Sequence, residues 1–142
     1  MKSFLVKNKL PLSKWSQLKN ESYFEGEVPE GYSLAINPSD NYIIIDIDNH
    51  NDIQGIKNIP LLLVNELLNY HFKYNTKNNG VHIWVKYTGQ KNLINKSSSL
   101  GIDLRTSKGY VVWYLDKDIR PYKHLIKDTS SELNIWIESL FS

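Results

Sequence analysis

The sequence predicts a single α+β domain in which a mixed, largely antiparallel sheet packs against helices. Several observations indicate this class. The length of 142 residues suits one domain, short alternating apolar runs are separated by helical patterns, and the pair Asn79-Gly80 marks a hairpin. The content of 41% hydrophobic and 23% charged residues is that of a folded globule and excludes a disordered or low-complexity chain.

Three segments are predicted to be helical because their apolar residues recur at helical spacing. A proline suits the first turn of the segment Pro11–Asn20. Asn58 is predicted to cap the second helix, with Pro60 at its start. The last helix follows a capping box, Thr129-Ser130-Ser131-Glu132. The predicted apolar face of the second helix is Leu61, Val64, Leu67, Leu68 and Phe72, and that of the last helix is Leu133, Trp136, Ile137, Leu140 and Phe141.

Strands are predicted where β-branched and aromatic residues form short runs between turn-forming clusters. The segment Asn37–Asp40 joins the first two of these strands, and Asn78-Asn79-Gly80 is the turn of a hairpin. No internal repeat or long linker divides the chain, so one domain is expected to span residues 1–142. The predicted strands are Gly31–Asn37, Tyr42–Asp48, the hairpin pair that includes Val81–Lys86, Gly101–Arg105 and Gly109–Leu115.

The composition excludes several classes of protein. The absence of cysteine excludes disulfide scaffolds, thiolate zinc sites and cysteine nucleophiles. The longest apolar runs, Tyr42–Ile45 and Ile59–Val64, are far shorter than the roughly 20 residues that span a bilayer. The segment Met1–Leu10 lacks the apolar core of a secretion signal. These features predict a soluble, cytoplasmic protein with no membrane partner.

The distribution of charge is more informative than its sum. The net charge of +2, from 17 basic and 15 acidic residues, does not by itself indicate a polyanionic partner. No acidic residue lies between Glu66 and Asp103, and this acid-free segment has a solvated lysine face as its simplest interpretation. The same lysines would also suit salt-sensitive phosphate contacts with single-stranded DNA. They are Lys73, Lys77, Lys86, Lys91 and Lys96.

Apolar and polar residues alternate along three of the predicted strands. Side chains two residues apart point to the same face of a strand, so each of these strands has an aliphatic face and a polar face. If the strands share a sheet, one face packs on helices and the other gathers three carboxylates, a histidine and basic side chains. The polar face comprises Asp46, Asp48, His82, Trp84, Lys86, Asp103 and Arg105.

Three carboxylates on one face predict a divalent cation site. Carboxylate oxygens are natural ligands of Mg²⁺ and Mn²⁺, and two ions roughly 4 Å apart can support an in-line displacement at phosphorus. Without a cation, clustered aspartates would repel one another and raise their pKa values. Each motif also has a purely structural interpretation. An Asp-x-Asp pair can serve a turn or cap, a strand histidine can be a packing residue, and Asp103 can form a surface ion pair with Arg105.

The order and spacing of these motifs resemble the primase-polymerase catalytic domain of the archaeo-eukaryotic primase superfamily, as found in phage and plasmid replication proteins. The resemblance runs from about Lys9 to Val112. It implies an archaeo-eukaryotic primase-like fold with an RRM-like catalytic core. The matching motifs are Ile43–Asn49, Asn75–Ile83, Gly101–Arg105 and Gly109–Val112, with Lys9-Leu10-Pro11 and Lys14-Trp15 before them.

The resemblance implies a role for each matched residue. Asp46, Asp48 and Asp103 would bind Mg²⁺ or Mn²⁺, and His82 would contact the phosphates of the incoming nucleotide. The implied reaction is nucleotidyl transfer by a metal-dependent DNA primase/polymerase in the replication of a phage, plasmid or other mobile element, with Asp46, Asp48, His82 and Asp103 as catalytic residues. The implied nucleotide-binding residues are Thr76, Lys77, Asn79, Gly80, His82, Arg105 and Lys108.

The sequence also departs from the family pattern. Asn79 stands where a glycine is common, and Trp113-Tyr114 stands where alanine and proline are common. No helicase, helical-bundle or zinc domain follows the core, so a separate helicase or accessory replication protein is an expected partner. The other expected partners are nucleoside triphosphates and a single-stranded DNA template with its primer.

Two alternative functions use the same residues. One is a metal-dependent nuclease built on the same carboxylates. The other is a non-catalytic replication accessory module that binds single-stranded DNA or nucleotide.

Overall fold

A computed structural model describes residues 1–50, 52–115 and 118–142. It confirms an α+β architecture with largely antiparallel sheets and few helices. The helices are α1 (Leu61–Asn65) and α2 (Ser131–Phe141). The strands are β1 (Lys2–Lys7), β2 (Leu10–Pro11), β3 (Ser33–Asn37), β4 (Tyr42–Ile47), β5 (Asn49–His50), β6 (Ile53–Gln54), β7 (Phe72–Asn75), β8 (Val81–Lys86), β9 (Lys96–Ser97), β10 (Ile102–Arg105), β11 (Val111–Trp113) and β12 (Lys127–Asp128).

Two main sheets organise these strands. The first is antiparallel and has the order β11-β3-β1-β2. The second contains β12-β8-β4-β10-β9 and also β7, which pairs with β8 beside β12. In the second sheet only β12 runs parallel to its neighbour among the described strands. The strands β5 and β6 form a separate short hairpin.

The second sheet is covered on both faces. Its first face packs against α1 and α2 through aliphatic residues such as Ile45, Ile83 and Leu104, together with Leu67 and Ile137. Its other face packs against the first sheet. A second hydrophobic cluster lies between the two sheets. It includes Ile36, Ile44, Tyr74, Trp84, Val111 and Trp113. The molecule is therefore layered, with helices on one sheet and the other sheet behind it.

The prediction of a helix over Pro11–Asn20 is wrong. Residues Leu10–Pro11 pair with β1 instead, and a single turn of 3₁₀ helix follows at Trp15–Gln17. The Trp15 ring lies nearly parallel to Phe4 at a centroid distance of 5.7 Å. The apolar spacing in this segment therefore reflects aromatic packing on the first sheet rather than a helical face.

The second predicted helix is shorter and differently capped. The helix α1 continues into a π-helical turn at Glu66–Tyr70, which changes the helical phase. Its N-cap is Pro60, and the Asn58 side chain instead donates to the Leu100 carbonyl at 2.9 Å. Two members of the predicted apolar face are misplaced, since Leu61 is 89% exposed and Phe72 lies in β7.

The last helix agrees best with the sequence. Leu133, Ile137 and Phe141 are buried, while Trp136 and Leu140 are partly buried against the same cluster. The capping residue is one position later than predicted, because the Ser130 hydroxyl accepts the Leu133 N–H at 3.1 Å. This helix has 11 residues, and no helix in the described ranges combines the length and apolar character needed to cross a bilayer.

Candidate active site

Asp46 lies between His82 and Asp103 across three neighbouring strands. It is the direct partner of His82 in the antiparallel pair β4–β8 and of Asp103 in the pair β4–β10. Directly opposed residues project from the same face of a sheet with Cβ atoms about 5 Å apart. The His82 Nε2 atom lies 3.5 Å from Asp46 Oδ1. The structure therefore brings together three of the residues that the sequence singled out as catalytic.

These residues border a cleft of about 660 Å³ between the two sheets. The walls include Asp46 and His82 from the second sheet and Val111 and Val112 from the first. Asp48, which follows β4, also lines the cleft. Basic side chains surround the carboxylates, and they come from four separate segments of the chain. They are Lys9, Lys77, Lys96, Arg105 and Lys108.

Part of the polar face predicted from the sequence is buried. Trp84 was predicted on this face and is fully buried against the first sheet, as is Ile44 on the neighbouring strand. The face opens near Asp46 and His82, which line the cleft, and Lys86 at the end of β8 is exposed. The sequence indicates the alternation, but it contains no signal that a second sheet covers part of this face.

Asp103 is the least accessible of the three aspartates that the sequence singled out. It is 9% exposed. It is not among the described residues that line the cleft. Its Oδ1 accepts the Ser98 N–H at 3.2 Å, and its Oδ2 lies 3.7 Å from Arg105 Nη2. Burial raises the pKa of the Asp103 carboxyl despite the Ser98 and Arg105 contacts, and the charge of Asp46 raises it further. Asp103 is thus a partly desolvated carboxylate that faces a second carboxylate.

His82 is held from behind by buried aromatic residues. Its Nδ1 lies 3.1 Å from the Tyr74 hydroxyl, and that hydroxyl also accepts the Trp84 Nε1–H at 3.1 Å. The ring of Tyr114, a residue that lines the cleft, lies 5.9 Å from the His82 ring. Because Tyr74 and Trp84 occupy the buried side, the His82 Nε2 faces Asp46.

Some residues of the hairpin turn between β7 and β8 line the cleft. Thr76, Lys77 and Gly80, which the sequence predicted to bind the nucleotide, line the cleft. Asn78 also lines it, whereas Asn79 is not among the described lining residues. The Asn79 backbone is left-handed with a φ of 63°, and its carbonyl accepts the Asn49 side-chain amide at 3.2 Å. Asn79 therefore shapes the turn.

Lys9 is a cleft residue that the sequence-based site did not include. The tight turn between β1 and β2 places Asn8 and Lys9 in left-handed conformations, with φ values of 52° and 64°. The Tyr110 hydroxyl donates to the Lys9 carbonyl at 2.9 Å and fixes the turn beside the cleft. A two-residue turn that begins with asparagine was the available signal for a hairpin here.

Of the five lysines in the acid-free segment, two are among the described residues that line the cleft. Lys77 and Lys96 line the cleft. Lys86 is four residues from His82 along β8, which corresponds to about 13 Å on an extended strand. Its ammonium lies 5.9 Å from the centroid of the Tyr42 ring. The cleft therefore takes its positive charge from only part of that segment, together with Lys9, Arg105 and Lys108.

The carboxylates do not form a closed cation cage. Within residues 1–50, 52–115 and 118–142, no group of three or more His, Asp or Glu side chains is arranged to enclose a metal ion. Mg²⁺ characteristically uses one or two protein carboxylates and completes its octahedron with water and substrate phosphates. The facing pair of Asp46 and Asp103, with Asp48 at the end of the same strand, fits that type of open site.

No protein-family model and no curated protein matches this chain. We therefore infer the function from the residues of the cleft.

Proposed function

We propose that the protein is a metal-dependent nucleotidyltransferase of the primase-polymerase type, with an archaeo-eukaryotic primase-like fold. In this proposal it adds nucleotides from nucleoside triphosphates to a primer on a single-stranded DNA template. One observation carries the proposal: Asp46 is the direct cross-strand partner of both His82 and Asp103 at the edge of a cleft lined with basic residues.

Asp46, Asp48 and Asp103 would hold Mg²⁺ or Mn²⁺. When bound, the cation supplies activation of a hydroxyl nucleophile and neutralisation of charge on the leaving oxygen. Asp46 and Asp48 line the cleft, and Asp103 completes the carboxylate set from the adjoining strand. Burial raises the pKa of the Asp103 carboxyl, and the charge of Asp46 adds to it. A cation would offset the repulsion between these two facing carboxylates.

The basic residues around the carboxylates suit a triphosphate. Lys77 and Arg105 offer cationic donors on two sides of Asp46, and Lys108 adds a third. Thr76 and Gly80 bring the turn before β8 to the same cleft, and His82 offers a ring nitrogen. Such donors orient the phosphates and stabilise negative charge without forming a covalent bond.

The proposed reaction joins the primer's 3′-oxygen to the α-phosphorus of the nucleotide. The bond between the α-phosphorus and the α,β-bridging oxygen breaks, and pyrophosphate leaves with that bonding pair. The hydroxyl proton passes to solvent. The protein contributes alignment of the reactants and neutralisation of charge.

Extension of a labelled primer on a single-stranded template, with Mg²⁺ or Mn²⁺, tests the proposal. Asp46→Asn and Asp103→Asn should abolish incorporation, because each removes a negative charge from the cation site. His82→Ala should mainly raise the KM for the nucleotide. Asp128→Asn and His124→Ala are matched controls, since both residues are exposed and lie outside the described lining of the cleft.

Other outcomes would indicate a different function or a different site. Shortening of the labelled primer without nucleotide addition would indicate a nuclease. Saturable nucleotide binding with no incorporation in either metal would indicate an accessory module. Parent-like activity in the variants at Asp46, His82 and Asp103 would show that the site is elsewhere.

A further inference from the structure

A buried chain of three side chains ends at His82. The Trp84 Nε1 atom lies 3.1 Å from the Tyr74 hydroxyl oxygen, and that oxygen lies 3.1 Å from His82 Nδ1. These residues are 0%, 7% and 5% exposed, so water does not compete freely for their hydrogen bonds. The other ring nitrogen, His82 Nε2, lies 3.5 Å from Asp46 Oδ1.

The chemistry of the groups sets the direction of each hydrogen bond. An indole nitrogen can only donate, so the Trp84 N–H donates to the Tyr74 oxygen. The Tyr74 hydroxyl then has one proton to donate. Among the described residues, His82 Nδ1 is the acceptor within hydrogen-bonding distance of that hydroxyl. Because a buried hydroxyl proton needs an acceptor, the geometry favours a lone pair rather than a proton on Nδ1.

We propose that Tyr74 is a positioning residue that holds His82 as the Nε2–H tautomer and aims that N–H towards Asp46 and the cleft. Burial keeps Tyr74 in the required form, because it raises the pKa of the phenol and so keeps it protonated. This assignment of the tautomer is argued from the two hydrogen-bond distances at the Tyr74 hydroxyl. That this N–H donates a hydrogen bond to a phosphate oxygen of the nucleotide rests on the proposed function.

This tautomer defines how His82 can act. A neutral imidazole with its proton on Nε2 donates a hydrogen bond from that atom and cannot accept a proton there. His82 would therefore orient and stabilise a phosphate group, and it would not deprotonate the primer hydroxyl. Removal of the Tyr74 hydroxyl would leave the ring free to populate both tautomers, and only one of them presents an N–H at the cleft.

Nuclear magnetic resonance of the protein labelled with ¹⁵N in its histidine rings tests the assignment. Long-range proton–nitrogen correlations distinguish the two neutral tautomers, and the His82 signals are those missing from a His82→Gln spectrum. We expect a bare Nδ1 and a protonated Nε2 in the wild type. Tyr74→Phe should give a mixture of tautomers and raise the KM for the nucleotide roughly three- to tenfold, with less effect on kcat, because one hydrogen bond is lost.

Two further variants separate the tautomer from packing. Tyr87→Phe is the matched control, because Tyr87 is also buried and its hydroxyl accepts the Lys91 N–H at 3.2 Å, remote from His82 in the hydrogen-bond network. It should leave the His82 pattern unchanged. Trp84→Phe removes the donor to Tyr74 but keeps the Tyr74–His82 bond, so the Nε2–H pattern should persist.

The spectra decide the proposal independently of activity. A wild-type His82 with its proton on Nδ1, or a Tyr74→Phe spectrum identical to the wild type, would overturn it. If Tyr74→Phe does not fold, the wild-type and Trp84→Phe spectra still give the tautomer. If the expected spectra appear in a protein that adds no nucleotide, the positioning by Tyr74 stands and the proposed function fails.

Discussion

Asp46 and Asp103 face each other directly across the antiparallel pair β4–β10. Like charges at directly opposed sheet positions are destabilising, and here Asp103 is also 9% exposed. Burial and the charge of Asp46 both raise the pKa of Asp103. Such a pair lowers the stability of the free protein, and a bound divalent cation would relieve the repulsion. The arrangement predicts a trade-off between stability and function at this pair.

Asp46→Asn should therefore stabilise the metal-free protein by about 0.5 kcal/mol, because it removes the repulsion while keeping the side-chain shape. Urea denaturation measures this change. If Mn²⁺ occupies the proposed site, it should raise the melting temperature of the wild type, because a ligand that binds only the folded state stabilises it. That increase should be lost in Asp46→Asn and retained in Glu30→Gln, an exposed control. An equal increase in both variants would place the cation elsewhere.

The strands of the site were largely predictable, because alternation is a local property. The apolar face of β4 and β8, with Ile45 and Ile83, packs on the helices as the period of two requires. The cross-strand register was not predictable in the same way. The pairing of Asp46 with Asp103 depends on contacts between segments more than fifty residues apart, and no local pattern encodes them.

The helices were harder to predict, because tertiary contacts override apolar spacing. Leu12, Trp15 and Leu18 have helical spacing, yet Trp15 and Leu18 pack on the first sheet and Leu12 is exposed. The π-helical turn at Glu66–Tyr70 likewise has no simple sequence signal. It brings Glu66 within 2.9 Å of His71, a pair that helical periodicity did not indicate.

Glu66 links the π-helical turn at Glu66–Tyr70 to the start of α2. Its carboxylate accepts hydrogen bonds from the Ser130 hydroxyl and from the Ser130 N–H at 3.2 Å, and it contacts His71 at 2.9 Å. Burial alone would raise the pKa of Glu66, but the Ser130 and His71 contacts outweigh it and hold the pKa below its ordinary value of 4.5. The ionised form therefore stabilises the fold.

Glu66→Gln should lower the free energy of unfolding by about 1.5 kcal/mol at pH 7, since it weakens hydrogen bonds to a charged group. The difference from the wild type should shrink below pH 4.5, because the wild-type carboxylate takes up a proton as the pH falls through its lowered native pKa. Urea denaturation at several pH values measures this. Glu132→Gln, an exposed change in the first turn of α2, should show a smaller difference. A constant difference at all pH values would refute the role of the charge.

Gly80 should be much more sensitive to substitution than its neighbour Asn79. A Cβ on Gly80 would lie 2.6 Å from Thr76 Oγ1 and 2.7 Å from the Ile47 carbonyl oxygen, which is too close. Gly80→Ala should therefore destabilise the protein by about 2 kcal/mol, as expected for overpacking. Asn79→Gly should change stability by less than about 0.5 kcal/mol, because glycine relieves the left-handed conformation but adds freedom to the unfolded chain. Denaturation of both variants measures the contrast, and equal losses would contradict the close approach at Gly80.

Lys96 and Lys86 should differ in their effect on DNA binding, although both belong to the acid-free segment. Lys96 lines the cleft, whereas Lys86 lies at the far end of β8 from His82. If single-stranded DNA enters through the cleft, Lys96→Gln removes one phosphate contact and Lys86→Gln removes none. The slope of log affinity against log salt should then become shallower by roughly 0.7 in Lys96→Gln, the value of one contact with a single strand.

Fluorescence anisotropy of a labelled oligonucleotide at several salt concentrations measures that slope. Lys86→Gln is the matched control, because it makes the same change of charge in an exposed lysine outside the described lining of the cleft. Long-range attraction would be reduced equally by both substitutions, whereas a direct phosphate contact distinguishes them. Equal slopes in the two variants would mean that the net charge of the protein, rather than contact with cleft residues, determines how it binds single-stranded DNA. A larger change of slope in Lys86→Gln than in Lys96→Gln would place the DNA path at the opposite end of β8.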